Sequence, residues 1–265
     1  MALSKTDIDD ITETAGLMAD AAGQAILPHF RGDPDTENKD VSGGYDPVTV
    51  ADRASEKAMR AVLATRRPDD AILGEEFGHK PGHTGLTWVL DPIDGTRAFV
   101  SGAPVWGVLI SVADASGPIF GMIVQPYIGE RFLGGFGRAE LIRGQDVRPL
   151  STRASTLENA ILLSTFPEIG TEAEYRAFSK VSQVCKLTRY GLDCYGYALV
   201  ALGQADLVIE AGLHEYDIHA PIAVIEAAGG IVTDWQGGPA HGGGQVIAAG
   251  DAALHQAALE LLNSA

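Results

Sequence analysis

The stretch Trp88-Val89-Leu90-Asp91-Pro92-Ile93-Asp94-Gly95-Thr96 sets two carboxylates at the end of an apolar run, separated by one proline and one isoleucine. The apolar run reads as a buried strand that stops at Asp91. Pro92 fixes its own φ and pushes Asp91 into an extended conformation, and Gly95 permits backbone angles that other residues resist. Both acids can then face one cavity. Two close carboxylates repel unless they share a proton or hold a cation between them. A hard divalent metal supplies that cation. Beyond Gly95, the N–H groups opening a helix, together with the Thr96 hydroxyl, suit an anion. Metal and anion together point to phosphate chemistry.

Taken alone, Asp-Pro-x-Asp-Gly is also an ordinary acidic turn. Three further pieces strengthen the chemical reading. Gly74-Glu75-Glu76 closes the apolar run Ala71-Ile72-Leu73, Asp46-Pro47-Val48-Thr49 leads into a helix carrying Asp52, and Tyr216-Asp217 opens another helix far along the chain. Acids at a helix start are expected from the helix dipole alone, which is the favoured account of Asp52. Oxygen ligands of this kind select magnesium or manganese over zinc. His29, His79, His83, His214, His219, His241 and His255 do not fall at metal-ligand spacing, and His219 is expected to be structural.

The elements that must carry these groups follow from periodicity. Ser4 and Asp7 form a capping-box pattern ahead of Ile8, Ile11, Ala15, Met18, Ala22 and Ile26, which predicts a helix ending near Pro28. Residues 32–45 read as a loop, and Thr49 to Ala64 as a second helix. Short apolar runs at Trp106–Val112, Ile119–Gln125 and Arg131–Phe136 predict antiparallel hairpins. Beyond Leu150 the pattern changes to strands at 160–163, 207–209, 231–233 and 246–248, alternating with helices at 172–184, at 194–202, from Asp217 and from Asp251. The expected division is 1–148, with most of the acids, and 149–265, a smaller α/β half supplying Asp217, with the active site between them.

Composition bounds the rest. A chain of 265 residues with 46% hydrophobic and 20% charged residues is ordinary for a globular enzyme. A net charge of −16 disfavours nucleic acid and anionic membrane surfaces. No secretory signal or membrane-spanning run is visible, and Cys185 and Cys194 make neither a zinc pattern nor a disulfide framework, so a cytoplasmic protein is expected.

Asp-Pro-Val-Thr-x-x-Asp, Gly-Glu-Glu, Asp-Pro-Ile-Asp-Gly-Thr and Asp217 ahead of a helix ending in Glu226-Ala-Ala-Gly-Gly230 resemble, in this order, the inositol monophosphatase-like family of magnesium-dependent phosphomonoesterases. The resemblance covers essentially the whole chain. It implies a layered α-β-α-β-α sandwich, an α+β and α/β arrangement with an antiparallel sheet in the N-terminal half. It also implies two or three Mg2+ ions, replaceable by Mn2+, and a homodimer acting on a small phosphomonoester. Glu75, Asp91 and the Ile93 carbonyl would hold one metal, and Asp91, Asp94 and Asp217 another. Asp46 and Thr96 would activate water, with Glu75 counted among the catalytic groups, and Lys39 would sit on a flap near the metals. Gly95, Thr96, Arg97, Arg189, Asp193 and Glu210 would contact substrate. Arg97, the acid in Tyr190-Gly-Leu-Asp193 and the Tyr216-Asp217 start resemble the family's histidinol-phosphate phosphatase branch, since two carboxylates, Asp193 and Glu210, suit a cationic amine better than a polyol. The alternatives are inositol monophosphatase, then nucleotide 3'-phosphate or fructose bisphosphate phosphatases, and last a regulator that binds metal or metabolite without turnover. On local grounds Asp193 is equally a helix N-cap, and Arg189 equally a surface charge.

Overall fold

The first helix forms where the periodicity predicts. In the structure, a computed structural model describing residues 3–32, 36–38 and 47–264, α1 (Lys5–Ile26) starts at the Ser4–Asp7 capping box and buries Ile11, Ala15, Met18, Ala22 and Ile26. A short antiparallel ribbon, β1 (Thr36–Asn38) with β2 (Pro47–Thr49), leads into α2 (Val50–Arg66), whose N-cap is Thr49. The two helices pack side by side on one face of a large sheet.

That sheet contains β3 (Ala71–Gly74), β4 (Gly78–Lys80), β5 (Thr87–Asp94), β6 (Gly107–Asp114), β7 (Gly117–Gln125), β8 (Glu130–Gly135), β9 (Arg138–Arg143) and β10 (Asp146–Pro149). The short helix α3 (Thr96–Val100) follows β5. The strand order is β10-β9-β8-β7-β6-β5-β3-β4. The three expected hairpin strands are present within two residues. The sheet is nevertheless mixed, because β3 and β5 run parallel while the other neighbours are antiparallel. The sheet is antiparallel at every other junction, as expected, and the one parallel pair puts the C-terminal ends of two strands side by side. β9 and β10 were not anticipated, since alternating Arg, Glu and Asp at an exposed sheet edge mask the apolar signal.

The second sheet contains β11 (Ile161–Ser164), β12 (Leu187–Tyr190), β13 (Leu207–Leu213), β14 (Ile231–Thr233) and β15 (Gly244–Ala249), in the order β12-β11-β13-β15-β14. Its helices are α4 (Glu172–Val184), α5 (Asp193–Ala201), α6 (Glu215–Ala227) and α7 (Ala252–Leu262). α5 and α6 lie between the sheets, with α6 packed across β5 to β9. Their apolar side chains form one core with Leu109, Ile123 and Phe132 of the first sheet and Val208 and Val246 of the second. α4 and α7 cover the outer face with Phe178, Val181, Leu254 and Ala258. The layers are thus α, β, α, β, α. Among the described residues no helix is long and apolar enough to cross a membrane.

Close approach fixes two glycines on the middle layer. A Cβ on Gly121 or Gly134 would lie 2.5 or 2.4 Å from the Ala220 or Ala223 carbonyl oxygen of α6. Only glycine lets the helix sit this deep on the sheet, and that depth carries Asp217 to the strand ends.

Candidate active site

β5 does not stop at Asp91. Its pairing with β6 runs from Asp91 opposite Leu109 to Asp94 opposite Gly107, so three steps on β5 match two on β6. This is a β-bulge. Pro92 has no N–H for the ladder and sits where the ladder is broken. The extra residue decides the chemistry. In a regular strand residues three apart point to opposite faces, whereas here Asp91 and Asp94 face the same cavity. The Ile93 N–H donates to Asp91 Oδ1 at 3.0 Å, which holds the first carboxylate in place.

Because β3 and β5 are parallel, Gly74 pairs with Leu90, so Glu75, just past the end of β3, comes level with Asp91 of β5. The loop after β3 is fixed from below by buried Glu56. Its carboxylate accepts from the Glu76 N–H at 2.7 Å and the Phe77 N–H at 3.3 Å, and from Arg60 at 2.7 Å. A Cβ on Gly74 would lie 2.0 Å from Glu56 Oε1, so that position excludes a side chain. Asp217 arrives from α6. The helix begins at Glu215, two residues earlier than expected, and Asp217 Oδ2 caps it by accepting the His214 N–H at 2.7 Å.

Oxygens of Asp91, Asp94 and Asp217 all lie within 4.8 Å of one another. Burial first, and then the neighbouring charges of Glu75, Asp94 and Asp217, hold the Asp91 carboxyl well above the usual carboxylate range. Asp94 is raised by burial and then by Asp193 and Asp217, although the Cys194 N–H donates to its Oδ2 at 2.5 Å. Asp217 is also raised, chiefly by burial. Acids crowded to this extent stay ionised only beside a cation, and an all-oxygen donor set fits a hard divalent ion.

Thr96 begins α3 behind Gly95, whose φ of 81° is left-handed. Its hydroxyl lies 3.1 Å from the Ile93 carbonyl oxygen and 3.5 Å from Asp52 Oδ1. Asp52 is buried, and its other oxygen accepts the Thr49 N–H at 2.8 Å and the Thr49 hydroxyl at 2.5 Å. Burial, opposed by these bonds, pushes the Asp52 carboxyl up to about 6. The expected helix-start role therefore holds for one oxygen, while the other reaches the cavity's threonine. Sequence reasoning passed over this second use. A signal was available in the spacing, since an acid at the third helical position has one oxygen left over after capping. Asp46 and Lys39 lie outside the described residues.

On the opposite wall, the same cavity of about 300 Å³ is lined by Gly95, Arg97, Asp193, Glu210, Thr165 and Phe166. Glu210 ends the regular part of β13, where pairing with β15 breaks. Its Oε1 accepts the Thr165 N–H at 2.7 Å and the Thr165 hydroxyl at 2.9 Å, and burial raises its carboxyl to about 8. Asp193 is not an N-cap. Leu192 holds that position, and Asp193 is the first helical residue, with φ 45°. Burial raises it to about 6, opposed by Arg97. A Cβ on Gly95 would lie 2.9 Å from the Asp193 side chain, so the glycine brings the two walls together.

Arg189 does not join them. It lies exposed on β12, the outer edge of the second sheet, and the turn at Gly191 redirects the chain before Asp193 enters the cavity. Arg189 is thus not among the residues that line this cavity. His219 turns away as expected, with Nε2 2.9 Å from the His241 carbonyl oxygen. A larger cavity of about 760 Å³ lies elsewhere, beside Arg67 and Asp70. Its buried acid, Asp70, is occupied by Arg67, Thr84 and Trp88.

The sequence matches the inositol monophosphatase family over residues 7–265. It is 42% identical to the bifunctional phosphatase IMPL2 of Arabidopsis thaliana, named as chloroplastic, over 98% of this chain and 77% of the relative. It is 36% identical to a histidinol-phosphatase of Mycobacterium tuberculosis over 85% of this chain and 88% of that one. Among solved structures, an inositol monophosphatase from Zymomonas mobilis superposes with a TM-score of 0.84 at 38% identity, covering 99% of this chain and 100% of the other. With acids suited to a metal on one wall and a polar pocket on the other, the chain belongs to the inositol monophosphatase family of metal-dependent phosphatases.

Proposed function

We propose that the protein is a magnesium-dependent phosphomonoesterase that hydrolyses L-histidinol phosphate to L-histidinol and phosphate. One observation carries the choice of substrate: the wall facing the metal acids presents two carboxylates, the buried Glu210 and the half-buried Asp193. A protonated amine on the substrate alcohol adds a charge-assisted partner for both, which a neutral polyol cannot supply. The similarity to proteins named histidinol-phosphatase and bifunctional phosphatase supports this reading. Hydrolysis of inositol phosphate is the second reading, favoured by the 38% identity to the Zymomonas protein.

Glu75, Asp91, the Ile93 carbonyl, Asp94 and Asp217 would hold Mg2+, two or three ions in all, and Mn2+ fits the same donors. When bound, the metal supplies a Lewis acid that polarises phosphoryl oxygens and acidifies water. The chain's own residues do the rest. The Thr96 hydroxyl donates its single proton toward Asp52 or Ile93, leaving its lone pairs to accept from a water. Asp46 keeps the water-activating role that the resemblance implies, and Asp52 can share it by receiving a proton relayed through Thr96, since a carboxyl at about 6 is both largely ionised near neutrality and basic enough to accept one. The backbone of Gly95 and Thr96, with Arg97, faces the phosphate. Asp193 and Glu210 orient the amino alcohol so that its phosphate points to the metal side.

The same reading makes the protein a cytoplasmic homodimer. Its test is turnover of histidinol phosphate against inositol 1-phosphate with Mg2+ in one buffer. Histidinol phosphate should win by at least about tenfold in kcat/KM, the worth of one charge-assisted hydrogen bond. Preference for inositol phosphate would replace this reading with the second.

A further inference from the structure

Phe166 is a large aromatic side chain on the wall of a cavity rich in acids, and 41% of its surface is exposed. Its position is not accidental. Thr165, immediately before it, binds Glu210 through both N–H and hydroxyl. The Gly191 N–H donates to the carbonyl oxygens of Ser164 and Thr165 at 3.1 and 3.0 Å, tying the same strand end to the turn that leads to Asp193. Phe166 is therefore locked to the two carboxylates assigned to the amine. Arg97, which also acts on Asp193, places its guanidinium over the ring, 4.7 Å from the centroid.

The other aromatic pair on the cavity, His214 with Tyr216, stacks at 5.0 Å at the start of α6. It belongs to the element that brings Asp217, and so to the metal side. Among the described residues lining the cavity, only Phe166 places an apolar ring on the amine-binding wall. Single exposed aromatics are common, as at Phe77, so it is the ring's place on the cavity wall and its anchoring beside Glu210 that give it a use.

We infer that Phe166 is a specificity-determining residue, its ring being the wall on which a flat aromatic ring of the substrate alcohol packs, beside the amine held by Asp193 and Glu210. The inference rests on the amino-alcohol reading of the site. It deepens that reading from a cationic alcohol to a cationic alcohol bearing an aromatic ring. The substrate then meets three independent tests: phosphate at the metals, amine at the acids and ring at Phe166.

The experiment compares three phosphates on the full-length enzyme with Mg2+: histidinol phosphate, the ringless amino-alcohol phosphate phosphoethanolamine, and inositol 1-phosphate. Phe166→Ala should lower kcat/KM for histidinol phosphate by about five- to thirtyfold, mainly through KM, as for loss of an aromatic packing partner. The ratio of histidinol phosphate to phosphoethanolamine should fall by the same factor. Phe166→Trp should keep that ratio, and Phe166→Leu, apolar but not flat, should restore only part of it. Equal losses on all three phosphates would overturn the inference, because Phe166 would then act only by supporting Arg97 or the Glu210 loop. An unchanged ratio in Phe166→Ala would overturn it as well. Failure of the wild-type enzyme to prefer either amine over inositol phosphate would instead remove the amino-alcohol reading, and that result is read before any variant is made.

Discussion

The two walls of the cavity treat buried carboxylates in opposite ways. On the metal side, every neighbouring charge that moves Asp91 is another acid, and each raises it. On the substrate side, Glu210 is held by the N–H and hydroxyl of Thr165, and Asp193 feels the opposing charge of Arg97. The first wall is frustrated without an ion and gains most of its order from one. The second is compensated by hydrogen bonds at Glu210 and by the Arg97 charge at Asp193, and gains selectivity, not assembly, from its ligand. Asp91 and Glu210, both buried, thus serve different ends according to who their neighbours are.

The sharpest way to break this comparison is Asp91→Asn. An amide cannot neutralise metal charge, so turnover of any phosphomonoester should drop on the order of 10³-fold, with weaker Mg2+ binding by titration calorimetry. In chelator the same variant should melt no lower than wild type, because the repulsion is relieved. Near-normal activity would dissolve the distinction between the walls.

Asp52→Asn comes next. It should lower kcat by about 10²-fold or more with little change in KM, as expected for a proton acceptor that matters mainly in the transition state. The asparagine can still accept from Thr49, so thermal stability should fall by only a few degrees. A rise in KM alone would make Asp52 a structural cap and nothing more.

Asp193→Asn probes the opposite wall. Asparagine tolerates the left-handed φ of 45°, so the fold is kept. Loss of one charge-assisted hydrogen bond should reduce kcat/KM for histidinol phosphate about ten- to hundredfold and leave inositol phosphate unchanged or slightly better. Parallel losses on both substrates would show that Asp193 supports α5 and does not select the amine.

The smallest effect is on stability against pH. Asp91, Asp94 and Asp217 are raised in the folded state above the values they take unfolded. The folded chain then binds more protons than the unfolded one above pH 4, so these groups withdraw stability as pH rises. Asp52 and Glu210 extend that window to about 6 and about 8. Metal-free protein should therefore melt a few degrees lower at pH 8 than at pH 5 by calorimetry, and Mg2+ should flatten the slope. A slope unaffected by Mg2+ would place the titrating acids away from the metal wall.

Much of this was legible before any coordinates. The α1 periodicity and capping box, the three hairpin strands and the acids Glu75, Asp91, Asp94 and Asp217 depend on local pattern, which a single sequence displays. Arg189 and Asp52 show what local pattern leaves undecided. Arg189 is only four residues before Asp193, yet it lies on an outer edge strand, because a turn at Gly191 intervenes. Asp52 looks like any helix-start acid until Thr96, 44 residues later, is folded against its second oxygen.

By itself, the sequence determined which groups could do chemistry: oxygen ligands at strand and helix ends, turn residues beside them, and acidity without a nucleic-acid footprint. Those follow from side-chain type and from spacing along the chain. Only the tertiary structure decided which groups share a cavity. The bulge at Pro92 turns Asp91 and Asp94 to one side, the parallel pairing of β3 with β5 sets Glu75 beside them, and glycines at 121 and 134 let α6 sink far enough to deliver Asp217. Each of these is a relation between segments remote in sequence. Pairing register and close packing set such relations, and neither is written in the residues of one segment alone.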